Sequence, residues 1–498
     1  LKIFLLFVLG LILLGGITFV TVNTAYALDA HQDGDINWPP PEPIRDYGST
    51  SVNCATEGWS DIDNDGICSA WEDGSNPLNI FLPDGSETYA YSCDADDFDI
   101  TDVDPSLDTD GNSDGCLSPN PDVPDIYVEV DFMQGHMIHD SADLLAIFGP
   151  VVQAFHENGK QLHIQIDEDI QSHRDELPLS STDPANPGFR ELKKSFFGNV
   201  NELGMLTAKK QVFRYAMVIH SQSVNPGSSG WAEIPGNDFI VSLGAFTSGV
   251  GSIDQQTGTF MHELGHTTKM WHGGTNDNVN CKPNYFSVMN YYYQFSELYS
   301  VNTKADYSSL ASPDNIPQLS ESSLSESLGM GPNGVWFGPE QPRPFPYTGV
   351  SGLRLDDSAD GNGVDWDGSG SESGSPQVDI NNLPGCQNPP SNTQTFRSTN
   401  DWVQMTTTPR TISPRQSSSA FLTSGYEPDN QDKIFNVAQE FDNQDKIFNV
   451  AQELGNQITS TFTQIQNFFE KIIQPAFADH AKVDVTIPEG TSVLGQIA

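Results

Sequence analysis

Residues 57–131 carry 21 acidic side chains and not one Lys or Arg. A chain cannot pack so many carboxylates together without counter-ions, because each would sit in the repulsive field of its neighbours. The acids are not scattered. Asp61, Asp63 and Asp65 alternate, Gly66 follows, and Glu72 closes the 12-residue stretch D-I-D-N-D-G-I-C-S-A-W-E. This is the spacing of a calcium-binding loop. Three short carboxylates at alternate positions converge on one hard cation. Gly66 permits the sharp turn, the carbonyl of Ile67 would ligate, and Glu72 would bring two oxygens. A charge run is usually a solvated face, but here every ligand position is filled. Calcium would then be part of the folding reaction of this region.

No long amphipathic helices flank the loop, and it resembles the aspartate-rich thrombospondin type 3 repeats of secreted proteins. Asp102, Asp104, Asp108, Asp110 and Asp114 are candidates for further ions at looser spacing. Asp365-Trp366-Asp367-Gly368-Ser369-Gly370, with Asp379, is a candidate for another, with an acidic Gly/Ser loop as the plain alternative. Over the whole chain of 498 residues the formal net charge is −45. Such a surface repels phosphate backbones and anionic bilayers, so neither nucleic acid nor a membrane surface is an expected partner.

The first 27 residues read as a secretory signal: Lys2, an apolar run from Ile3 to Val20, and Ala25-Tyr26-Ala27 as a small-x-small cleavage site. The expected location is extracellular, or the cell surface if the segment is retained as an anchor. All six cysteines follow it, which favours disulfides in an exported chain, although six cysteines allow 15 pairings. Cys93–Cys116 and Cys281–Cys386 are the favoured pairs. No CxxC occurs, so a thiolate zinc site is not expected.

From Asp125 the pattern changes. Residues 126–131, 162–166, 213–219 and 239–243 read as strands, and Val151–His156 as a helix with Pro150 at its first position. Strands alternating with helical stretches predict a mixed α/β sheet. Residues 28–124 form the acidic region, 125–410 the main domain, 411–428 a linker, and 429–498 a helical tail with a short strand-like end. The tail repeats D-N-Q-D-K-I-F-N-V-A-Q-E at 429–440 and 442–453. An offset of 13 residues turns a helical face by roughly 140°, so the copies cannot share one stripe. They read as a duplication in an exposed segment.

Within the main domain, T-F-M-H-E-L-G-H-T-T-K-M-W-H-G-G spans 259–274. His262 and His266, four apart, fall on one helix face and can bind one zinc ion. Glu263 lies beside the first ligand and can act on a water without displacing it. His272 can be the third ligand if the chain folds back after the helix, which leaves the fourth position open for catalysis. Ser287-Val288-Met289-Asn290-Tyr291 follows. Together these stretches resemble the metzincin zinc proteases: H-E-L-G-H-T-T-K-M-W-H against H-E-x-x-H-x-x-G-x-x-H, then a Met-turn. The resemblance implies a zincin-like α/β (α+β) domain with a mixed twisted sheet and an active-site helix. It implies Met289 as an apolar floor beneath the imidazoles, and Tyr291 as a zinc ligand or oxyanion donor. The implied activity is a secreted zinc endopeptidase with Glu263 as general base and a protein or peptide as substrate. Metzincins hold substrate extended along an edge strand, and Asp238–Leu243 is the candidate edge. Where the family has Gly, this chain has Lys269, which would have to adopt a left-handed conformation at about 1–2 kcal/mol. The alternative reading is a calcium-dependent extracellular binding or structural protein with a degenerate zinc site. His136, His139, His163 and His220 have no sequence partner at metal spacing and read as structural.

Overall fold

The computed structural model describes most of residues 52–408; residues 1–51, 409–498 and several internal stretches, including 109–115, 137–140 and 198–205, lie outside the described set. The signal segment, the linker and the repeated tail therefore fall outside it, as do His139, Asp110 and Asp114.

A hairpin of β1 (Leu78–Phe81) and β2 (Thr88–Tyr91) precedes a five-stranded sheet. The sheet is built from β3 (Asp125–Met133), β4 (Gln161–Ile170), β5 (Phe213–Ile219), β6 (Gly230–Ala232) and β7 (Asp238–Ser242), in the order β4-β3-β5-β7-β6. Four strands are parallel, and β6 pairs antiparallel with β7 at one edge. Helix α1 (Ser141–Glu157) crosses from β3 to β4, and α2 (Ile253–Thr267) follows β7. The protein is thus mixed α/β.

Alternation along β3 explains the layers. Ile126, Val128, Val130 and Phe132 face one side and pack with Phe148, Val151 and Phe155 of α1 and Phe260, Met261 and Leu264 of α2. Tyr127 and Met133 face the other side. There they meet Leu78 and Ile80 of β1, Tyr89 and Tyr91 of β2, and Ile67, Cys68 and Trp71 of the acidic loop. Every residue of β3 is buried, as expected for an inner strand of a sheet covered on both faces. The acidic loop is therefore packed into a core it shares with the sheet. Even the charged residues of the second face are paired: Lys209 forms an ion pair with Glu129, and Tyr215 Oη donates to Asp131 Oδ2 at 2.6 Å.

Two expectations are corrected. Pro150 lies inside α1, not at its start. A proline there removes a backbone bond, but Val151, Val152 and Phe155 are all in the core. Packing overrides the local preference. Second, Asp238–Ser242 is not an edge: it lies between β5 and β6. The edge is Gly230–Ala232, three residues too short to register as a strand by alternation.

The cysteines form Cys54–Cys68, Cys93–Cys116 and Cys281–Cys386, which includes both favoured pairs. Three disulfides fit an oxidising compartment. Among the described residues, no helix is long and apolar enough to cross a membrane.

Candidate metal centre

Helix α2 begins with a capping box: Ser252 accepts from the Gln255 amide, and the Gln255 side chain accepts from the Ser252 amide. It ends at Thr267. The chain then reverses through Thr268 and Lys269, whose φ is +80°. The Lys269 amide donates to the His266 carbonyl at 2.9 Å. Lys269 thus takes the left-handed conformation that its position requires, Gly or not. A two-stranded hairpin follows, β8 (Met270–Trp271) and β9 (Gly274–Thr275), with His272 and Gly273 as its turn.

The reversal carries His272 back to the helix. The ring centroids of His262, His266 and His272 lie 4.7, 5.0 and 5.5 Å apart. His262 and His266 each turn Nδ1 toward a backbone carbonyl, of Val288 and Met270 respectively, both at 2.8 Å. A carbonyl only accepts, so both Nδ1 atoms carry the proton and both Nε2 atoms present lone pairs. Those two Nε2 atoms face each other at 3.1 Å. With no hydrogen between them the approach is repulsive. A shared cation resolves it: nitrogens ~2.0–2.1 Å from a tetrahedral zinc lie about 3.3 Å apart. One ligand atom from each of the three imidazoles falls within 4.8 Å of the others. Burial and the neighbouring rings hold His262 and His272 well below the usual histidine range, and burial brings His266 to about 4. All three are neutral near pH 7, the state a metal ligand needs.

The floor is the turn at 287–291. Met289 is fully buried, and a Cβ on Gly265 of α2 would run into its Sδ. Ser287 Oγ, inside the turn, donates to Asp401 Oδ2 at 2.7 Å, which also accepts from Tyr285 Oη at 2.8 Å and the Ser308 amide at 3.0 Å. Tyr291 is buried with its ring 4.6 Å from that of His272 and 5.8 Å from that of His262. The hairpin turn is held from below by buried Lys282, whose Nζ donates to Gly273 O, Arg397 O and Asp277 Oδ2 at 2.6, 2.7 and 2.9 Å. Glu263 is buried, and burial pushes its carboxyl far up from the ordinary range. It lies directly under the sheet edge: a Cβ on Gly230 would stand 2.5 Å from Glu263 Oε1. Gly230, Lys282 and Asp401 carry no sequence motif of their own.

The acidic loop forms a second cluster. Carboxylate oxygens of Asp61, Asp63 and Asp65 fall within 4.8 Å of one another, as do those of Asp65, Glu72 and Asp125. Asp125, 60 residues on, was not legible as a member. Asp65, Glu72 and Asp125 are fully buried, as is Ile67, whose amide donates to Asp65 Oδ1 at 2.7 Å. Asp61 Oδ1, Asp63 Oδ2 and both Glu72 oxygens are buried and meet no hydrogen-bond donor among the described residues. Burial, together with neighbouring carboxylates, pushes Asp63 up to about 6, Asp65 to about 8 and Glu72 to about 10. Buried oxygens without donors in an acidic nest are what a hard cation satisfies.

Asp102 and Asp104, among the other acidic candidates, have structural employment. Asp99 caps the helix Ile100–Val103 with Asp102 completing its capping box, and Asp104 caps the next turn. Asp365 and Asp367 accept from amides of their own loop, while Asp379 accepts from the Ser391 amide. His163 pairs with Asp125 at 2.9 Å. His136 and His220, expected to be structural, come together with His173.

Comparison with family models, with curated proteins and with solved structures returns no match.

Proposed function

We propose that the protein is an exported zinc-dependent endopeptidase of the metzincin kind, with a calcium ion holding its acidic loop. The observation that carries this reading is the pair of unprotonated Nε2 atoms at 3.1 Å, with the ring of His272 closing the third side. The sheet order, with one short antiparallel strand at the edge nearest α2, supports a zincin-like fold. His262, His266 and His272 would hold the zinc. When bound, zinc polarises a peptide carbonyl and makes water a competent nucleophile near neutral pH.

The chain's own groups do the rest. An extended peptide lies antiparallel along Gly230–Ala232, adding a strand to the sheet. Glu263 reaches up beneath that edge, and Gly230 leaves room for its carboxylate. Burial alone would keep Glu263 protonated; the charge of a nearby dication opposes this and releases a carboxylate. Glu263 takes the proton of the attacking water at a carboxylate oxygen and delivers it to the departing amine. Tyr291, buried beside His272, donates its O–H to the developing oxyanion. Asp61, Asp63, Asp65 and Glu72, joined by Asp125, would hold calcium with the Ile67 carbonyl.

Casein cleavage by the purified protein is expected to vanish with a zinc chelator and return with zinc. Glu263→Gln should keep its zinc and lose about 10²–10⁴-fold in rate. Full activity in that variant would exclude this mechanism.

A further inference from the structure

We propose that His136, His173 and His220 form a second transition-metal site, separate in residues from the His262 cluster. Each histidine follows a different parallel strand: His136 lies just beyond β3, His173 beyond β4 and His220 directly after β5. These strands are neighbours, with β3 in the middle, and their pairings end in step, Met133 opposite Ile170 and Phe132 opposite Val218. The carboxyl ends of adjacent parallel strands are where such sheets gather ligand-binding groups. Here the sheet delivers three imidazoles.

Their geometry is close to that of the first triad. The ring centroids are 4.8, 4.9 and 5.3 Å apart, and one ring nitrogen from each falls within 4.8 Å of the others. His220 Nδ1 lies 3.3 Å from His136 Nε2. The backbone fixes this arrangement. His136 sits at the end of a turn in which its amide donates to the Met133 carbonyl at 2.9 Å and Gly135 has φ +82°. The other side of the His220 ring is pressed on Gly244, where a Cβ would stand 2.6 Å from Nε2. Nδ1 is therefore the atom His220 turns to its neighbours. His173 is 42 % exposed, with the exposed carboxylate of Asp175 3.8 Å from its Nδ1. The site thus opens to solvent on one side, which gives an ion a way in and leaves room for a water or a further ligand.

Three imidazole nitrogens suit a borderline divalent ion such as zinc, or copper and nickel where available, and not calcium or magnesium, which require oxygen. An ion here would clamp the ends of β4, β3 and β5.

The test is a count of bound zinc on the full chain, stripped with chelator and reloaded in excess calcium. The wild type is expected to hold two zinc ions. His262→Ala/His266→Ala should leave one, and His173→Ala/His220→Ala should also leave one while casein cleavage persists. His173→Ala alone changes a half-exposed side chain, so folding should survive; it should weaken one of the two ions at least tenfold and leave the other unchanged. A wild type that binds one ion, lost with His262 and His266 and indifferent to His173 and His220, overturns the second site. A single ion lost with His173 and His220 instead supports it and removes the peptidase reading.

Discussion

Lys269 shows how a residue with a side chain can stand where a reversal favours Gly. Its φ of +80° is strained for any residue with a Cβ. The strain is held by two contacts across the reversal, the His266 ring Nδ1 on the Met270 carbonyl and the Lys269 amide on the His266 carbonyl. Lys269→Gly relieves it but loses some chain entropy on folding. The expected net effect is a gain of about 1 kcal/mol in unfolding free energy with casein cleavage unchanged, read by denaturant titration. Gly230 makes the opposite case. Its lack of a side chain is what lets Glu263 stand beneath the edge strand. In Gly230→Ala the methyl must push the carboxylate aside, and a misplacement of about 1 Å can cost about 10²-fold. The expected outcome is a fall in kcat with zinc content intact, measured on a peptide substrate.

At the scale of elements, the acidic loop and α2 meet through residues 406–408. Gly66 lies so close to Thr408 that a Cβ would stand 2.9 Å from Thr408 Cα. Arg214, fully buried, donates to Thr407 O at 2.8 Å and to Thr267 Oγ1 at 3.0 Å. The Thr406 amide donates to the Thr268 carbonyl at 3.0 Å, just past the end of α2. Calcium removal should therefore be felt at α2. Without calcium, Asp63, Asp65 and Glu72 have folded-state pKa values of about 6, 8 and 10, all above their unfolded values. The folded chain then binds more protons than the unfolded chain from about pH 4 upward, so stability falls as pH rises. Tm in chelator selective for calcium is expected to drop between pH 5 and pH 8, and saturating calcium to remove that slope. A calcium-independent Tm would show that the loop holds no ion.

For the whole molecule, what could be read ahead depended on distance along the chain. His262, His266, His272 and the turn at 287–291 lie within 30 residues, and the alternating strands 126–131 and 213–219 declare themselves by period. That His262 and His266 point the same way was legible because helix pitch alone sets residues four apart on one face. The edge strand Gly230–Ala232 was not legible, since three residues carry no pattern. Asp125 was hidden because it reaches the acidic loop only through sheet packing across 60 residues. Pro150 misled because a proline usually opens a helix, and here the core overrules it. The histidines at 136, 173 and 220 share no local spacing; only the parallel order of β4, β3 and β5 unites them.

The central claim is that three imidazoles from 262–272 grip one zinc with a place left open. Anomalous diffraction at the zinc edge, on crystals of the full chain, tests it most directly. The expected result is a peak about 2.0–2.1 Å from nitrogens of His262, His266 and His272, with no fourth protein nitrogen or sulfur bound. Density that leaves these three rings without a metal, or a zinc closed off by four side chains, would contradict it.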